Sequence, residues 1–389
     1  MKTNEELKKI TVNSKEFDEL SQEERLECYT LDLFGKNVKD VKYVLITNYI
    51  HHQLLEEEIT RTGLYQWINV FNGEVRTPRD VLDYNQYDIV QVNMSTQDIQ
   101  EVANIREKIG KDSKTKLVVN NDYTTEMWGN AFGSPSTMAR EISHADMIFG
   151  TEYYQVTALT ELTGKKVFII PHPADVRRLK ALPQIPKKDI ISTIWRRYDK
   201  HSYIPSLATR NHGLTTQLIG FDKNQDPKTW LTTTLYDYVF AGTNYFDYCD
   251  QMRESSIVYD PFTYHSFNRG AIDCAAMGVP LVGSNRTQSV NVCYPFTKVD
   301  PYDVSGARKL IQQLLTDDAF YKKVIDHAAK SVEYYNHENS MEKYLMALSE
   351  IEIDDETVKK EILERKSLDK GRGDDVNVVI ANEKTRKTN

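Results

Sequence analysis

Short apolar runs alternate with helix-like segments along the chain, and this alternation constrains the fold more than any other feature. Residues 43–47 (YVLIT), 89–93 (IVQVN) and 116–120 (KLVVN) each form an apolar run that ends in a polar residue. Such runs are typical of buried parallel strands whose carboxyl ends open into a site. Further strands are predicted at residues 146–149 and 167–170, and helices at residues 96–110, 138–145 and 153–162. The pattern predicts a parallel, doubly wound sheet.

A second alternating series follows residues 182–186 (LPQIP), which have the composition of a linker. Its predicted strands are residues 190–194, 216–220, 238–241, 256–259 and 280–283, and its clearest helices are residues 245–254, 267–277, 305–315 and 320–335. The expected fold class is therefore α/β, with two doubly wound Rossmann-like domains facing a cleft. Because such sheets bind ligands at the carboxyl ends of their strands, the cleft is the expected site.

The length of 389 residues also favours two domains over one. We expect a first Rossmann-like domain at residues 42–181 and a second at residues 187–339. The remaining predicted segments are an N-terminal extension at residues 1–41, a helix crossing back to the first domain at residues 340–353, and a charged, flexible tail at residues 354–389.

Charge and cysteine content exclude several classes of protein. The net charge is −8, whereas a protein that grips a nucleic-acid backbone over its whole surface is usually basic, although a local basic cleft stays open. The four cysteines form no CxxC pair, which argues against a structural zinc site and fits a reducing compartment. No apolar run is long enough to span a membrane, and the charged start MKTNEELKK does not resemble a signal peptide. We expect a cytoplasmic protein.

The most informative segment is residues 264–284, YHSFNRGAIDCAAMGVPLVGS. It predicts a loop, a helix, a tight turn and a buried strand. The start of the helix, near Ser266, Phe267 and Asn268, offers unpaired backbone N–H groups and the positive end of a dipole, which suits a diphosphate. Asp273 lies about two turns into the helix, where its carboxylate could accept hydrogen bonds from the paired hydroxyls of a ribose.

Residues 273–282 (DCAAMGVPLV) resemble the donor-binding run of GT-B glycosyltransferases, and the likeness is closest to glycosyltransferase family 4, the group 1 glycosyl transferases. Residues 145–159, 167–176, 300–335 and 340–351 resemble other passages of that family in the same order, so the likeness covers about residues 42–351. It implies a nucleotide-diphosphate sugar as donor substrate, no bound cofactor, and a hexosyl- or pentosyltransferase in which Asp273 holds the donor ribose.

One position departs from the family pattern. Family 4 enzymes are retaining and carry an acidic residue eight positions before the ribose-binding one, where this chain has His265. A histidine at this spacing resembles the inverting natural-product and plant transferases, in which it contacts the donor diphosphate. The likeness to family 4 implies retention, and His265 leaves both stereochemical outcomes open. We take His265 as a catalytic candidate that holds the diphosphate or a sugar hydroxyl.

Basic residues follow the first predicted strand of the second domain, in the run WRRYDK. Family members place cations here, and breaking a sugar–phosphate bond leaves negative charge that fixed cations stabilise as it forms. Arg196 and Lys200 are the predicted phosphate ligands, with Arg197 as the alternative. Together with the helix start they would neutralise the donor without a metal ion.

Asp122 follows the predicted strand at residues 116–120, where many relatives have a His-Asp pair that lines the reaction centre. We expect Asp122 to act as a general base or to stabilise positive charge on the sugar. Glu126 is a second candidate, and His51 is a candidate contact for the acceptor. His51 and His52 lack the spacing of a metal site. No Asp-x-Asp, GxxxxGK[ST] or GxGxxG motif points to another chemistry.

Two alternatives to a glycosyltransferase share this fold. One is a nucleotide-sugar 2-epimerase, and the other is a non-catalytic protein that binds nucleotide sugars. The sequence leaves the acceptor open among glycans, small molecules, proteins and modified nucleobases; a nucleic-acid acceptor is compatible with the sequence but not indicated by it.

Overall fold

The computed structural model describes residues 2–12, 14–47, 60–94, 101–110, 112–122, 124–125, 128, 134–195, 203–220, 235–240, 244–350, 359–360 and 363. Within these residues the chain forms two parallel sheets of six strands each. This α/β architecture with two doubly wound sheets confirms the fold class predicted from the sequence.

The first sheet has the strand order β2-β1-β3-β4-β5-β6, and every neighbouring pair is parallel. Its strands are β1 (Tyr43–Ile46), β2 (Glu74–Arg76), β3 (Ile89–Met94), β4 (Lys116–Asn121), β5 (Met147–Gly150) and β6 (Val167–Ile169). Consecutive residues of β1 alternate between two cores: Tyr43 and Leu45 face one, and Val44 and Ile46 face the other. Both faces are covered, which explains why these strands are apolar throughout.

Seven helices accompany this sheet among the described residues. They are α1 (Asn4–Leu7), α2 (Lys15–Asp18), α3 (Gln22–Phe34), α4 (Gln66–Phe71), α5 (Glu101–Ile109), α6 (Pro135–Ile142) and α7 (Tyr153–Thr163). The next helix, α8 (Val176–Lys180), buries Val176 and Leu179 in the core of the second sheet. Helix α3 begins at a capping box made by Ser21 and Glu24 and ends at Gly35, whose φ of 68° is left-handed. The segment predicted as an extension contributes Leu7, Phe17 and other apolar side chains to the first core.

The second sheet has the strand order β12-β11-β10-β7-β8-β9, again with parallel pairs only. Its strands are β7 (Lys188–Trp195), β8 (Thr215–Gly220), β9 (Tyr238–Phe240), β10 (Ser255–Asp260), β11 (Leu281–Ser284) and β12 (Lys298–Val299). The helices that follow β7 are α9 (Tyr203–Thr209), α10 (Tyr245–Glu254), α11 (Arg269–Met277), α12 (Gln288–Cys293), α13 (Val304–Thr316), α14 (Asp318–Ser331) and α15 (His337–Leu348).

Helix α15 follows the second sheet in the chain but packs into the core of the first. Met341, Tyr344, Leu345 and Leu348 are buried there. Glu342 on the same helix pairs with a residue of α3, Arg25, at 2.5 Å between Oε1 and Nε. The helix therefore ties the last part of the chain to the N-terminal helices.

A chain of buried hydrogen bonds leads from α15 across the first sheet. The Tyr344 hydroxyl donates to Gln91 Oε1 at 3.0 Å. Gln91 donates to Asn120 Oδ1 at 3.0 Å, and Asn120 donates to Asn93 Oδ1 at 3.0 Å. The side-chain amides of Gln91, Asn93 and Asn120 are thus linked to one another, which fixes this polar part of the two strands.

Met1–Ile353 form one compact unit and Asp354–Asn389 a second, of which the structure describes residues 359, 360 and 363. No helix among the described residues has the length and apolar character needed to cross a bilayer.

Candidate functional site

The topology of the second sheet points to one place for a ligand. Its strand order reverses between β7 and β10, and doubly wound sheets bind ligands outside the carboxyl ends of the strands at such a reversal. Strand β10 ends at Asp260, and the loop at residues 261–268 leads directly into α11. The segment singled out in the sequence therefore lies at this crevice.

Helix α11 is an internal helix that begins and ends at left-handed residues. Asn268 before it has a φ of 59°, and Gly278 after it has a φ of 70°. Every residue from position 270 to position 277 is buried, so the helix is covered on all sides. Its first N–H groups have no partner within the helix, and the helix dipole makes this end electropositive.

Asn268 is buried in an uncommon backbone conformation at the start of α11. Its side chain is 2% exposed, and Nδ2 lies 3.5 Å from the Thr287 hydroxyl. Among the described residues no donor contacts its Oδ1. A buried acceptor costs about 1–3 kcal/mol when it is unsatisfied, so a hydroxyl supplied by a ligand would be stabilising here. Ser266 holds the backbone of this turn, since its Oγ accepts from the Asn268 N–H at 3.2 Å.

Asp273 lies on α11, and among the described residues two hydroxyl groups donate hydrogen bonds to its carboxylate. Thr62 donates to Oδ1 at 2.6 Å, and the Tyr245 phenol donates to the same oxygen at 3.1 Å. Burial, and next the charge of Asp273, raise the pKa of Tyr245 well above its ordinary value, so the phenol keeps its proton and donates. Asp273 is only 2% exposed. A pair of hydroxyls is also what a ribose would offer to this carboxylate.

His265 lies in the loop before α11 and contacts the other half of the molecule. Its ring centroid is 4.1 Å from that of Tyr154, at an interplanar angle of 44°. Tyr154 stands in the first turn of α7, whose start is capped by the Glu152 carboxylate. The loop before α11 and the end of β5 therefore meet at this ring pair.

Asp122, at the end of β4, lies beside a histidine that the sequence analysis did not select. His172 Nε2 is 3.2 Å from Asp122 Oδ1, and the Trp67 indole N–H donates to His172 Nδ1 at 3.0 Å. The ring of His172 also packs against that of Phe267, with centroids 5.6 Å apart and an interplanar angle of 87°. His172 therefore contacts both Asp122, the carboxylate predicted on the acceptor side, and Phe267, in the loop predicted on the donor side.

Five predicted site residues lie outside the described part of the chain. They are His51, Glu126, Arg196, Lys200 and the alternative cation Arg197. Strand β7 ends at Trp195, directly before the basic run, so chain order alone brings these cations next to the end of that strand. Within the described ranges, no group of three His, Cys, Asp or Glu side chains is arranged to hold a metal ion.

Sequence reasoning missed His172, Trp67, Thr62 and Tyr245. His172 stands between two prolines directly after an apolar run, a pattern that marks a turn at a strand end and could have drawn attention to it. No local sequence pattern singles out Thr62, because its partner Asp273 is 211 positions away in the chain.

No protein-family model matches this chain, and no curated protein matches it by sequence. Solved structures do match. Anabaena HepE in complex with UDP is 13% identical, with a TM-score of 0.58 over 80% of this chain and 100% of that one. An α-glucosyltransferase in complex with UDP-glucose and DNA containing an abasic site is 13% identical, with a TM-score of 0.53 over 76% of this chain and 95% of that one.

The E. coli trehalose-6-phosphate protein bound with UDP-2-fluoroglucose is 13% identical, with a TM-score of 0.55 over 70% of this chain and 74% of that one. At this level of identity the likeness concerns the fold alone. Together with the two facing sheets, it shows that the chain has the GT-B fold of glycosyltransferases.

Proposed function

We propose that this protein is a glycosyltransferase that moves a hexosyl or pentosyl group from a nucleotide-diphosphate sugar to an acceptor. The observation that carries the proposal is the place of α11. Its electropositive start and the Asp273 carboxylate lie at the strand reversal of the second sheet, where this architecture binds ligands. Structures of the same fold have been solved with UDP, UDP-glucose or UDP-2-fluoroglucose.

In this proposal the donor binds mainly to the second domain. Asp273 accepts hydrogen bonds from the ribose, and the start of α11 with Ser266, Phe267 and Asn268 holds the diphosphate. His265 contacts the diphosphate or a sugar hydroxyl. Arg196 and Lys200 supply fixed positive charge. This charge stabilises the leaving diphosphate more strongly as the diphosphate becomes more negative. We propose that these groups make a divalent metal unnecessary.

Asp122 acts from the first domain in this scheme. It lies at a strand end of the first sheet, and its side chain is 48% exposed, so an incoming molecule can reach it. We propose that it stabilises positive charge on the sugar or receives the acceptor proton. His51 and Glu126 stay proposed contacts on the acceptor side.

We also propose retention of configuration and a place among family 4 enzymes, resting on the sequence likeness of residues 273–282. Glycosyl transfer with retention is described for trehalose-6-phosphate synthase, a protein of the same fold. The acceptor is proposed only by class: a glycan, a small molecule, a protein or a modified nucleobase, met in the cytoplasm.

A ligand screen followed by turnover tests the function. The thermal unfolding of the purified protein is measured with UDP-, GDP- and ADP-sugars, each at about 100 times a dissociation constant in the micromolar range. At this ratio a true donor adds about 2.7 kcal/mol to the free energy of unfolding. The stabilising sugar is then incubated with the protein, and released nucleotide and any change of the sugar are followed by NMR. Transfer or hydrolysis supports the proposal; a free epimerised donor would show an epimerase, and tight binding without turnover a non-catalytic protein.

A further inference from the structure

His172 occupies a position between the two candidate halves of the site. It follows β6, between Pro171 and Pro173, in the stretch that leads from the first sheet towards the second. Prolines on both sides restrict the backbone and therefore the direction of the ring. One nitrogen of the ring faces Asp122, the other faces Trp67, and the ring packs nearly perpendicular to the ring of Phe267.

The contact with Trp67 fixes which nitrogen of His172 carries the proton. An indole N–H can only donate, so Nδ1 of His172 must accept and cannot carry hydrogen. A neutral imidazole has one N–H, which then lies on Nε2 and donates to Asp122 Oδ1 at 3.2 Å. Protonating Nδ1 would break the bond to a tryptophan side chain that is itself completely buried.

His172 and Asp122 differ in solvent exposure, and this difference gives them different roles. His172 is 1% exposed and has both nitrogens occupied, so it cannot itself receive a proton from a substrate. Asp122 is 48% exposed, so an incoming molecule can reach its side chain. The usual order, in which a carboxylate orients an accessible histidine, is reversed here.

We propose that His172 is a positioning residue that, as a neutral Nε2–H donor held by Trp67, aims the ionised carboxylate of Asp122 at the reacting sugar. The contact of the His172 ring with Phe267 couples the orientation of Asp122 to the loop that precedes α11. The inference rests on the proposed function, because it gives Asp122 a partner in the same reaction. The bond from His172 Nε2 fixes the direction in which the Asp122 carboxylate faces as the sugar becomes positive.

Two substitutions separate positioning from simple packing. In His172→Gln the amide nitrogen reaches the place of Nε2 and keeps the bond to Asp122. In His172→Asn the shorter amide reaches only the place of Nδ1, so it keeps a partner for Trp67 and loses Asp122. Both variants remove the ring and its contact with Phe267, and they differ in the partner that they keep. If His172 served only to satisfy the buried Trp67 N–H, His172→Gln would be the more damaging of the two.

The assay follows UDP release from UDP-glucose, with UDP affinity from calorimetry and melting as a control for folding. We expect His172→Asn to lower kcat about 10- to 100-fold with UDP affinity within about twofold, and His172→Gln to keep kcat within about threefold. Equal losses in the two variants, or a matching loss of UDP affinity, would overturn the inference.

A second measurement does not depend on the donor. In the wild-type protein at pH 7, nitrogen-15 NMR of His172 should show a protonated Nε2 and a bare Nδ1, and Trp67→Phe should shift that population. A proton on Nδ1 in the wild type overturns the inference whatever the assay gives. If the wild type turns over no nucleotide sugar, the proposed function fails, and the spectrum still decides the state of His172.

Discussion

At the residue scale, the unexpected feature is that Asp273, the residue predicted to bind the donor ribose, already accepts hydrogen bonds from the protein itself. Thr62 and Tyr245 supply Asp273 with the two hydroxyl donors that a ribose would bring. The segment around Thr62 is held closely: a Cβ placed on Gly63 would come within 2.8 Å of Arg269 Cδ on α11. If a donor binds through Asp273, we expect it to displace the Thr62 hydroxyl and this segment with it.

Substitutions at Asp273 and Thr62 test that exchange. Asp273→Asn keeps the size of the side chain and removes its charge, and we expect nucleotide affinity to fall about tenfold or more, since hydrogen bonds to a charged group contribute about 1.5–3 kcal/mol. Thr62→Val removes only the competing hydroxyl, so affinity should rise several-fold. Thr62→Ser, which keeps the hydroxyl, is the matched control. Calorimetry with UDP measures all three.

Two results would contradict this account. Unchanged affinity in Asp273→Asn would mean that the carboxylate only ties the two halves of the chain together. A fall in affinity in Thr62→Val as large as that in Asp273→Asn would mean that Thr62 orients the carboxylate for the ligand instead of competing with it.

At the element scale, α15 carries a titratable group at its first turn. His337 Nε2 lies 2.8 Å from Gln66 Oε1 on α4. Burial lowers the pKa of His337 below its ordinary value, and the cations Arg177 and Arg178 act in the same direction, whereas Asp175 and Glu338 oppose them. The start of a helix also disfavours a positive charge.

This lowered pKa predicts a loss of stability on mild acidification. Below the unfolded value of about 6.5 the unfolded chain takes up a proton that the native His337 does not, so the free energy of unfolding falls as pH drops towards the native pKa. The slope from this group is at most about 1.4 kcal/mol per pH unit. His337→Gln keeps a donor for Gln66 and cannot titrate, so urea unfolding at pH 7.5 and 5.5 should show a smaller drop than wild type. Parallel losses in the two proteins would remove His337 as the cause.

At the scale of the whole molecule, the GT-B fold brings two ligand-binding edges together. The second sheet presents α11 and the end of β7, and the first presents Asp122. Contacts between the two halves already exist at Thr62–Asp273 and Tyr154–His265. Closing these surfaces over a donor would exclude water that competes with the acceptor.

Metal dependence is a property of the complete site. Because the start of α11 and the basic run after β7 are proposed to neutralise the diphosphate, we expect turnover to be unchanged by EDTA. The measurement compares nucleotide release with EDTA, with magnesium and with manganese added back. Activity abolished by the chelator and restored by either ion would contradict the proposal.

The charged end of the chain should be dispensable. The first compact unit ends at Ile353, and α15 with its buried face lies inside it. Removing residues 354–389 should change the melting temperature by less than about 2 °C, since the unit that holds both sheets stays whole, and should leave turnover unchanged. A cut that also removes α15 is the control and should unfold the first core. A large effect of the shorter cut would assign the tail a role in packing or acceptor binding.

The sequence by itself determined the order of ten of the twelve described strands and of the longer helices between them, because each is encoded by a local pattern. Helix α10 has the predicted bounds, 245–254, and α11 lies within the predicted residues 267–277. Strands β2 and β12 were missed, because three and two residues carry too little periodicity to be seen. The likeness of residues 273–282 to a known motif also led to the fold class without any structure.

Only the tertiary structure decided what the site residues touch. Asp122 and His172 are 50 positions apart, Trp67 and His172 are 105 apart, and Thr62 and Asp273 are 211 apart. A sequence pattern reports the neighbours of a residue along the chain, whereas a hydrogen bond depends on distance and direction in space. The role of His172, a loop residue whose proton position is set by a tryptophan on α4, therefore became visible only when the two sheets and their connections were in place.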